Sequence, residues 1–157
     1  MLKKNFINFI IFFSIFLLDR ISKIFIVNKS TELGTSEIFN SRFINIELVW
    51  NKGIAFGLLS LENSLAYQII SILIFSIIII LVYLVLKTEG FEKFSFIMVL
   101  GGAVGNLYDR ILFKAVPDFI DIHINDFHWF IFNIADIFIT IGVICLILVE
   151  ISFKKKL

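Results

Sequence analysis

Between Leu65 and Leu86 the chain reads LAYQIISILIFSIIIILVYLVL, without one charged residue. A bilayer core of about 30 Å needs roughly 20 apolar residues in a helix, so this stretch is long enough to cross one. The rest of the chain agrees. Of its 157 residues 59% are hydrophobic, more than a soluble globule of that size can cover with polar surface. The length points to one domain, 1–157. Only 17% of residues are charged and the formal net charge is +1, which gives no reason to expect nucleic acid as a partner. Cys145 is the single cysteine and lies in an apolar run, so no intramolecular disulfide is possible and it reads as a small packed hydrophobe.

Three more segments have the length of a span. INFIIFFSIFLLDRISKIFIV (7–27) carries Asp19, Arg20 and Lys23, and FSFIMVLGGAVGNLYDRILF (94–113) carries Gly101, Gly102 and Gly105. The last runs from about Trp129 to Phe153. Lys3 and Lys4 before an apolar run also suit a secretory signal peptide. No small-x-small cleavage pattern follows, however, and further spans do, so the segment reads as a retained helix. The expected spans are therefore about 7–27, 65–86, 94–113 and 129–153. Lys3, Lys4, Lys87, Lys93, Lys154, Lys155 and Lys156 cluster at the termini and the 87–93 loop, while the opposite loops hold Lys29, Arg42, Lys52 and Lys114. That bias places both termini in the cytoplasm and turns 28–64 and 114–128 outward. In FINIELVW, Ile44, Ile46, Leu48 and Trp50 recur at period two, a strand signal, and Asn51-Lys52-Gly53 reads as a turn. The expected fold class is an all-α membrane protein of four transmembrane helices, with a small β-sheet over about 38–60 on the outer membrane face.

An ionisable group inside a span costs roughly 2.5–3.5 kcal/mol on insertion scales, so it usually has a partner or a task. Asp19, Arg20, Lys23, Asn106, Asp109, Arg110, Asn133 and Asp136 all fall in the outward halves of their segments, at one depth. Asp19 and Lys23 are i,i+4 and can pair. Asn106 with Asp109, and Asn133 with Asp136, are i,i+3 and share a helix face. The loop AVPDFIDIHI adds Asp118, fixed by Pro117 and positioned to face Asp136. Two carboxylates in one partly desolvated site cannot both ionise easily. One then serves as base toward water and the other as acid.

Simpler readings stand beside this one. Asp19–Lys23 reads as a structural pair, and Asp109–Arg110 as a helix-end interface anchor. Asn106 and Asn133 suit helix–helix bonding, and Asp136 alone suits a structural role as well as a functional one. Ser14, Ser22, Ser71 and Ser76 read as helix-packing groups, Asp121 and Asp126 as solvated loop charges. His123 and His128, five apart, are poorly spaced for one helix face, so no metal or cofactor is expected. A small membrane transporter or proton-relay subunit is the alternative class; it predicts carboxylates staggered through the membrane, whereas these gather at one end. A structural assembly subunit gives no reason for a loop carboxylate beside a membrane one.

The blocks DRISK (19–23), WNKGIAFG (50–57), GGAVGNLYDR (101–110), VPDFID (116–121) and FNIAD (132–136) resemble, in order, the signature blocks of lipoprotein signal peptidase, also called signal peptidase II. The resemblance implies a multi-pass aspartyl endopeptidase of the bacterial inner membrane, with no cofactor. Its substrates would be prolipoprotein signal peptides, cut N-terminal to a diacylglyceryl-modified cysteine at the lipid interface. Asp118 and Asp136 match the catalytic positions. Asp19, Lys23, Asn51, Gly53, Asn106, Asp109, Arg110, Asn133 and Ala135 match positions that build or orient the site. Globomycin-type inhibitors are implied as ligands, and a monomer is expected. Arg20 stands where Gln is usual, Pro117 where Val is common and Ile54 where Ala is frequent.

Overall fold

The computed structural model describes residues 2–53 and 64–154. Positions 54–60 of the expected β region, Ile54 among them, lie outside the described residues, as do Lys155 and Lys156.

Four helices carry the chain: α1 (Leu2–Leu33), α2 (Ser64–Lys87), α3 (Gly90–Phe113) and α4 (Ile134–Lys154). Three segments within them, Tyr67–Lys87, Gly90–Phe113 and Ile134–Ser152, are long and apolar enough to cross a membrane. At 1.5 Å per residue α1 is about 48 Å long, well beyond a bilayer core. It continues six residues past the expected end at Val27 and stops only at Gly34, whose φ of +67° suits a glycine after a helix. α3 packs against each of the other three helices. Ile78 and Leu81 of α2 meet Leu100 and Leu107 of α3 in the apolar core. On its other sides α3 approaches through small residues: a Cβ on Gly101 would lie 2.9 Å from Ile15, and one on Gly102 2.5 Å from the Ala135 carbonyl oxygen. Small residues are what let membrane helices come this close. Lys4 pairs with Glu89 at 3.4 Å, which sets the start of α1 beside the α2–α3 turn.

At the far end of the bundle four strands form an antiparallel sheet in the order β1 (Glu37–Phe39), β2 (Ile44–Asn51), β3 (Val116–Ile124), β4 (Phe127–His128). Two expectations need correction. The 114–128 region is not a plain loop: its Val116–Ile124 segment is the strand that pairs with β2. Hydropathy missed it because Asp118, Asp121 and His123 interrupt the apolar run, and their burial on the two sides of the strand becomes visible only after pairing. The period-two face of β2 is also broken, since Ile46 pairs with Ile120 but Val49 with Asp118, leaving one extra residue on β2. Such a bulge bends the strand and re-aims its side chains.

Pro117 stands opposite Trp50 of β2, near the start of β3. The fourth apolar segment likewise starts later than expected. Phe132 exchanges backbone hydrogen bonds with Ile120 at 2.8 and 3.0 Å, so the chain just before α4 is extended, and the helix begins at Ile134 rather than near Trp129.

Candidate active site

α1 and α3 are joined by buried charges. Lys23 Nζ donates to both Asp19 oxygens, at 2.9 and 3.0 Å, and to Asp109 Oδ2 at 2.8 Å. The Arg20 guanidinium spans the same two carboxylates, at 2.6 Å to Asp19 Oδ2 and 2.6 Å to Asp109 Oδ2, with a second bond to Asp109 Oδ1. Asp19 and Asp109 are fully buried and Lys23 is 2% exposed. Two acids against two bases leave the cluster neutral, the condition under which buried ions are tolerable. Asp19 has a further task. Its Oδ1 accepts the Ala135 N–H at 3.1 Å, an anion placed at the positive end of α4.

Asn106 carries this cluster to α4. Its Oδ1 accepts from Lys23 Nζ at 2.8 Å, and its Nδ2 donates to Asp136 Oδ1 at 2.8 Å. Asn133, just ahead of α4, accepts the Asp136 N–H on its Oδ1 at 3.1 Å, while the Asn133 N–H donates back to Asp136 Oδ2 at 3.1 Å. Asp136 is thus the third helical residue of a reciprocal capping arrangement. The Asn133 amide then reaches across to β3, donating to Asp118 Oδ1 at 2.6 Å and to Asn106 Oδ1 at 3.2 Å. Asn51 at the end of β2 donates to the other oxygen, Asp118 Oδ2, at 2.8 Å. Its own Oδ1 accepts the Gly53 N–H at 2.8 Å, an Asx turn that fixes the side chain. Arg110 Nη2 donates to the Gly53 carbonyl at 3.3 Å, and the Tyr67 hydroxyl donates to the Arg110 carbonyl at 3.0 Å.

Asp118, Asp136, Asn51, Asn106, Arg110 and Asn133 line one cavity of about 210 Å³. Burial, and then the charge of Asp136, push the Asp118 carboxyl up to about 6; the Asn51 and Asn133 donors pull the other way. A carboxyl at that level changes protonation close to neutral pH, as acid–base work requires. Beside this polar cavity and sharing Asp136 with it lies an apolar hollow of about 380 Å³, walled by Ile122, Trp129, Phe132, Ile137 and Ile141.

Residues 11–152 match the family model described as signal peptidase (SPase) II. The chain belongs to the signal peptidase II family. It is 51% identical to the lipoprotein signal peptidase of Pelagibacter ubique (strain HTCC1062) over 99% of this chain and 93% of that one. To the lipoprotein signal peptidase of Anaplasma phagocytophilum (strain HZ) it is 40% identical, over 99% of both. A solved structure described as a bacterial membrane enzyme, determined by the in meso method at 2.3 Å, superposes with a TM-score of 0.78 at 33% identity, covering 95% of this chain and 90% of that one. A second, at 1.9 Å, gives 0.72 at 34% identity, with 91% of each chain covered.

As a signal peptidase II the chain is a peptidase, and its family is membrane-embedded. Asp118, Asp136, Asn51, Asn106, Arg110 and Asn133 meet at one cavity. Asp19, Lys23, Asp109 and Ala135 sit behind it, and Gly53 is reached through Asn51 and Arg110. Asp109 and Arg110 are not an interface anchor: both are buried, at 0% and 7% exposure, and each is tied into the bundle. Nor is Asp121 a solvated loop charge, since at 3% exposure it lies within the sheet. Two contributors went unassigned in the sequence. Arg20 follows Asp19 directly, about 100° around the helix, and joins the cluster only because its side chain is long; its guanidinium also sits 4.9 Å from the Tyr108 ring centre. Tyr67, in the span that carries no charge, had no sequence signal beyond being a hydroxyl near one end.

Proposed function

We propose that the chain is a lipoprotein signal peptidase in which Asp118 and Asp136 share one proton and together hydrolyse a peptide bond. The carboxylate of the pair takes a proton from the attacking water while the carboxylic acid protonates the peptide carbonyl; the first carboxyl then gives that proton to the leaving amine as the second takes one back from the collapsing tetrahedral diol. The two titrate as a unit. The observation that carries this reading is the placement of both acids on one cavity, each held by an asparagine amide. The adjoining hollow supports the lipid part of the substrate: its apolar walls suit the acyl chains of a diacylglyceryl-cysteine while the bond N-terminal to that cysteine lies at the carboxyl pair. Globomycin-type inhibitors would occupy the same space.

In this proposal α1 is the fourth span, carrying its neutral ion cluster inside the bundle. Both termini face the cytoplasm of a bacterial inner membrane, and the sheet lies on the outer face. The Lys4–Glu89 pair supports a common side for the N-terminus and the α2–α3 turn. The protein acts as a monomer.

The test is cleavage of a diacylglyceryl-modified prolipoprotein by the purified membrane protein. Asp118→Asn and Asp136→Asn should each lower turnover by about a thousandfold or more, and unlipidated precursor should remain uncut. Turnover at the wild-type rate by either variant would sink the assignment.

A further inference from the structure

On the side of β3 away from Asp118 is a second cluster that the peptidase reaction does not use. Asp121 and His123 are two apart on this strand and so share a face, and His123 is the cross-strand partner of His128 on β4. A spacing of five residues is poor on a helix. Across a tight hairpin it stacks the two imidazoles, with ring centres 4.9 Å apart and planes 17° from parallel.

We propose that Asp121, His123 and His128 form a binding site for a first-row transition dication of the zinc class. One ligand atom from each residue lies within 4.8 Å of the others. Asp121 Oδ2 is 2.7 Å from His128 Nδ1 and 3.9 Å from His123 Nδ1. These values bracket the spacing of about 3.4 Å between neighbouring ligands of a tetrahedral site with bonds of about 2.1 Å.

Two atoms point to a missing bond. Asp121 Oδ1 and His123 Nδ1 are buried and, among the described residues, neither has a hydrogen-bond partner. Asp121 is 3% and His123 9% exposed, so water does not compensate them freely. Asn45, opposite Asp121 on β2, donates to Asp121 Oδ2 at 3.3 Å, the outer support a ligating carboxylate commonly receives. The His128 side chain is 53% exposed and leaves the cluster accessible from outside.

Two imidazoles and one carboxylate choose the metal. Calcium and magnesium prefer oxygen-only cages, whereas zinc, nickel, cobalt and copper accept this mixture. Three protein ligands also leave a coordination position for water. A cation here would clip β4 to β3, the strand that three residues earlier presents Asp118.

The experiment is a calorimetric titration of the full-length, tag-free protein in detergent with Zn²⁺ after chelator dialysis, with the visible absorption of Co²⁺ as a second probe. The chain has two histidines, both in this cluster, so no other imidazole can answer for the signal. One Zn²⁺ per chain with micromolar or tighter affinity is expected. His128→Ala and His123→Ala should each weaken binding by about a hundredfold; exposed His128 gives the variant least able to disturb folding, checked by retained prolipoprotein cleavage. Absence of stoichiometric Zn²⁺ binding in the wild type would overturn the proposal. So would unchanged affinity in a folded His128→Ala protein, or equal competition by millimolar Mg²⁺ or Ca²⁺.

Discussion

Asn133 and Asp136 cap each other: each side chain accepts the other's backbone N–H, both at 3.1 Å. The carboxylate is thereby locked to the first turn of α4 with Oδ2 committed, while Oδ1 meets the Asn106 amide at the cavity. Asn133 does two separable things, since its Oδ1 caps the helix and its Nδ2 holds Asp118 at 2.6 Å. Asn133→Ser keeps a good capping oxygen but has no amide to reach β3. It should retain most of the thermal stability and lose cleavage activity at least tenfold. Asn133→Ala should lose activity similarly and also about 1 kcal/mol of stability. Thermal unfolding in detergent beside a cleavage assay separates the two.

This pair also shows how far the sequence could be read. An amide three residues before a carboxylate, in an otherwise apolar segment, marks the site without any fold. The capping geometry needed the helix start, which hydropathy set too early because Trp129 to Phe132 is as apolar as the helix after it. Asp118 was legible as a carboxylate beside a span, yet its strand was not. Pairing with β2 is a long-range event, and alternation in DFIDIHI is masked because its two aspartates and its histidine are all buried, Asp118 on one side of the strand and Asp121 and His123 on the other. The ion cluster was half legible. Asp19 and Lys23 declare themselves at i,i+4, but the reach of Arg20 across to Asp109 depends on how closely α1 and α3 approach at Gly105, where a Cβ would lie 2.6 Å from Asp19 Oδ2.

Asn51 favours the charged form of Asp118, whose carboxyl burial has pushed up to about 6. As pH rises through that value, with Asp136 already charged, the pair loses its one proton and with it the acid, so cleavage should fall on the alkaline side above about pH 6. Removing a donor to the carboxylate raises the pKa further. In Asn51→Ala the alkaline limb of kcat/KM should therefore move to higher pH, by roughly one unit at most for a bond worth about 1 kcal/mol. A pH profile of the variant with its limb unmoved, or moved downward, would exclude this role for Asn51.

Lys23 balances two buried carboxylates and also donates to Asn106. Lys23→Met fills similar space but leaves Asp19 and Asp109 with Arg20 as their cation. Breaking a buried ion cluster by removing one partner costs about 3–5 kcal/mol, and the variant should unfold at a clearly lower temperature. Adding Asp19→Asn restores neutrality and should recover part of that loss, about 1–2 kcal/mol of coupling. Additive losses in the double variant would show that the charges act independently.

Gly102 lies where α3 meets the first turn of α4. A Cβ there would stand 2.5 Å from the Ala135 carbonyl oxygen and 2.8 Å from Ile139, so the backbone next to Asp136 has to move. At Gly101 the nearest atoms belong to Ile15 on α1, at 2.9 and 3.1 Å, on the side of α3 that packs away from α4. Overpacking of either kind costs about 1–3 kcal/mol, and both Gly101→Ala and Gly102→Ala should lower the unfolding temperature. Only the second shifts a residue of the carboxyl pair, and a displacement near 1 Å can cost on the order of a hundredfold in rate. Measured per folded molecule, kcat should therefore stay near wild type in Gly101→Ala and fall at least tenfold in Gly102→Ala. Equal kcat in the two variants would mean that the position of α4's first turn does not limit the reaction.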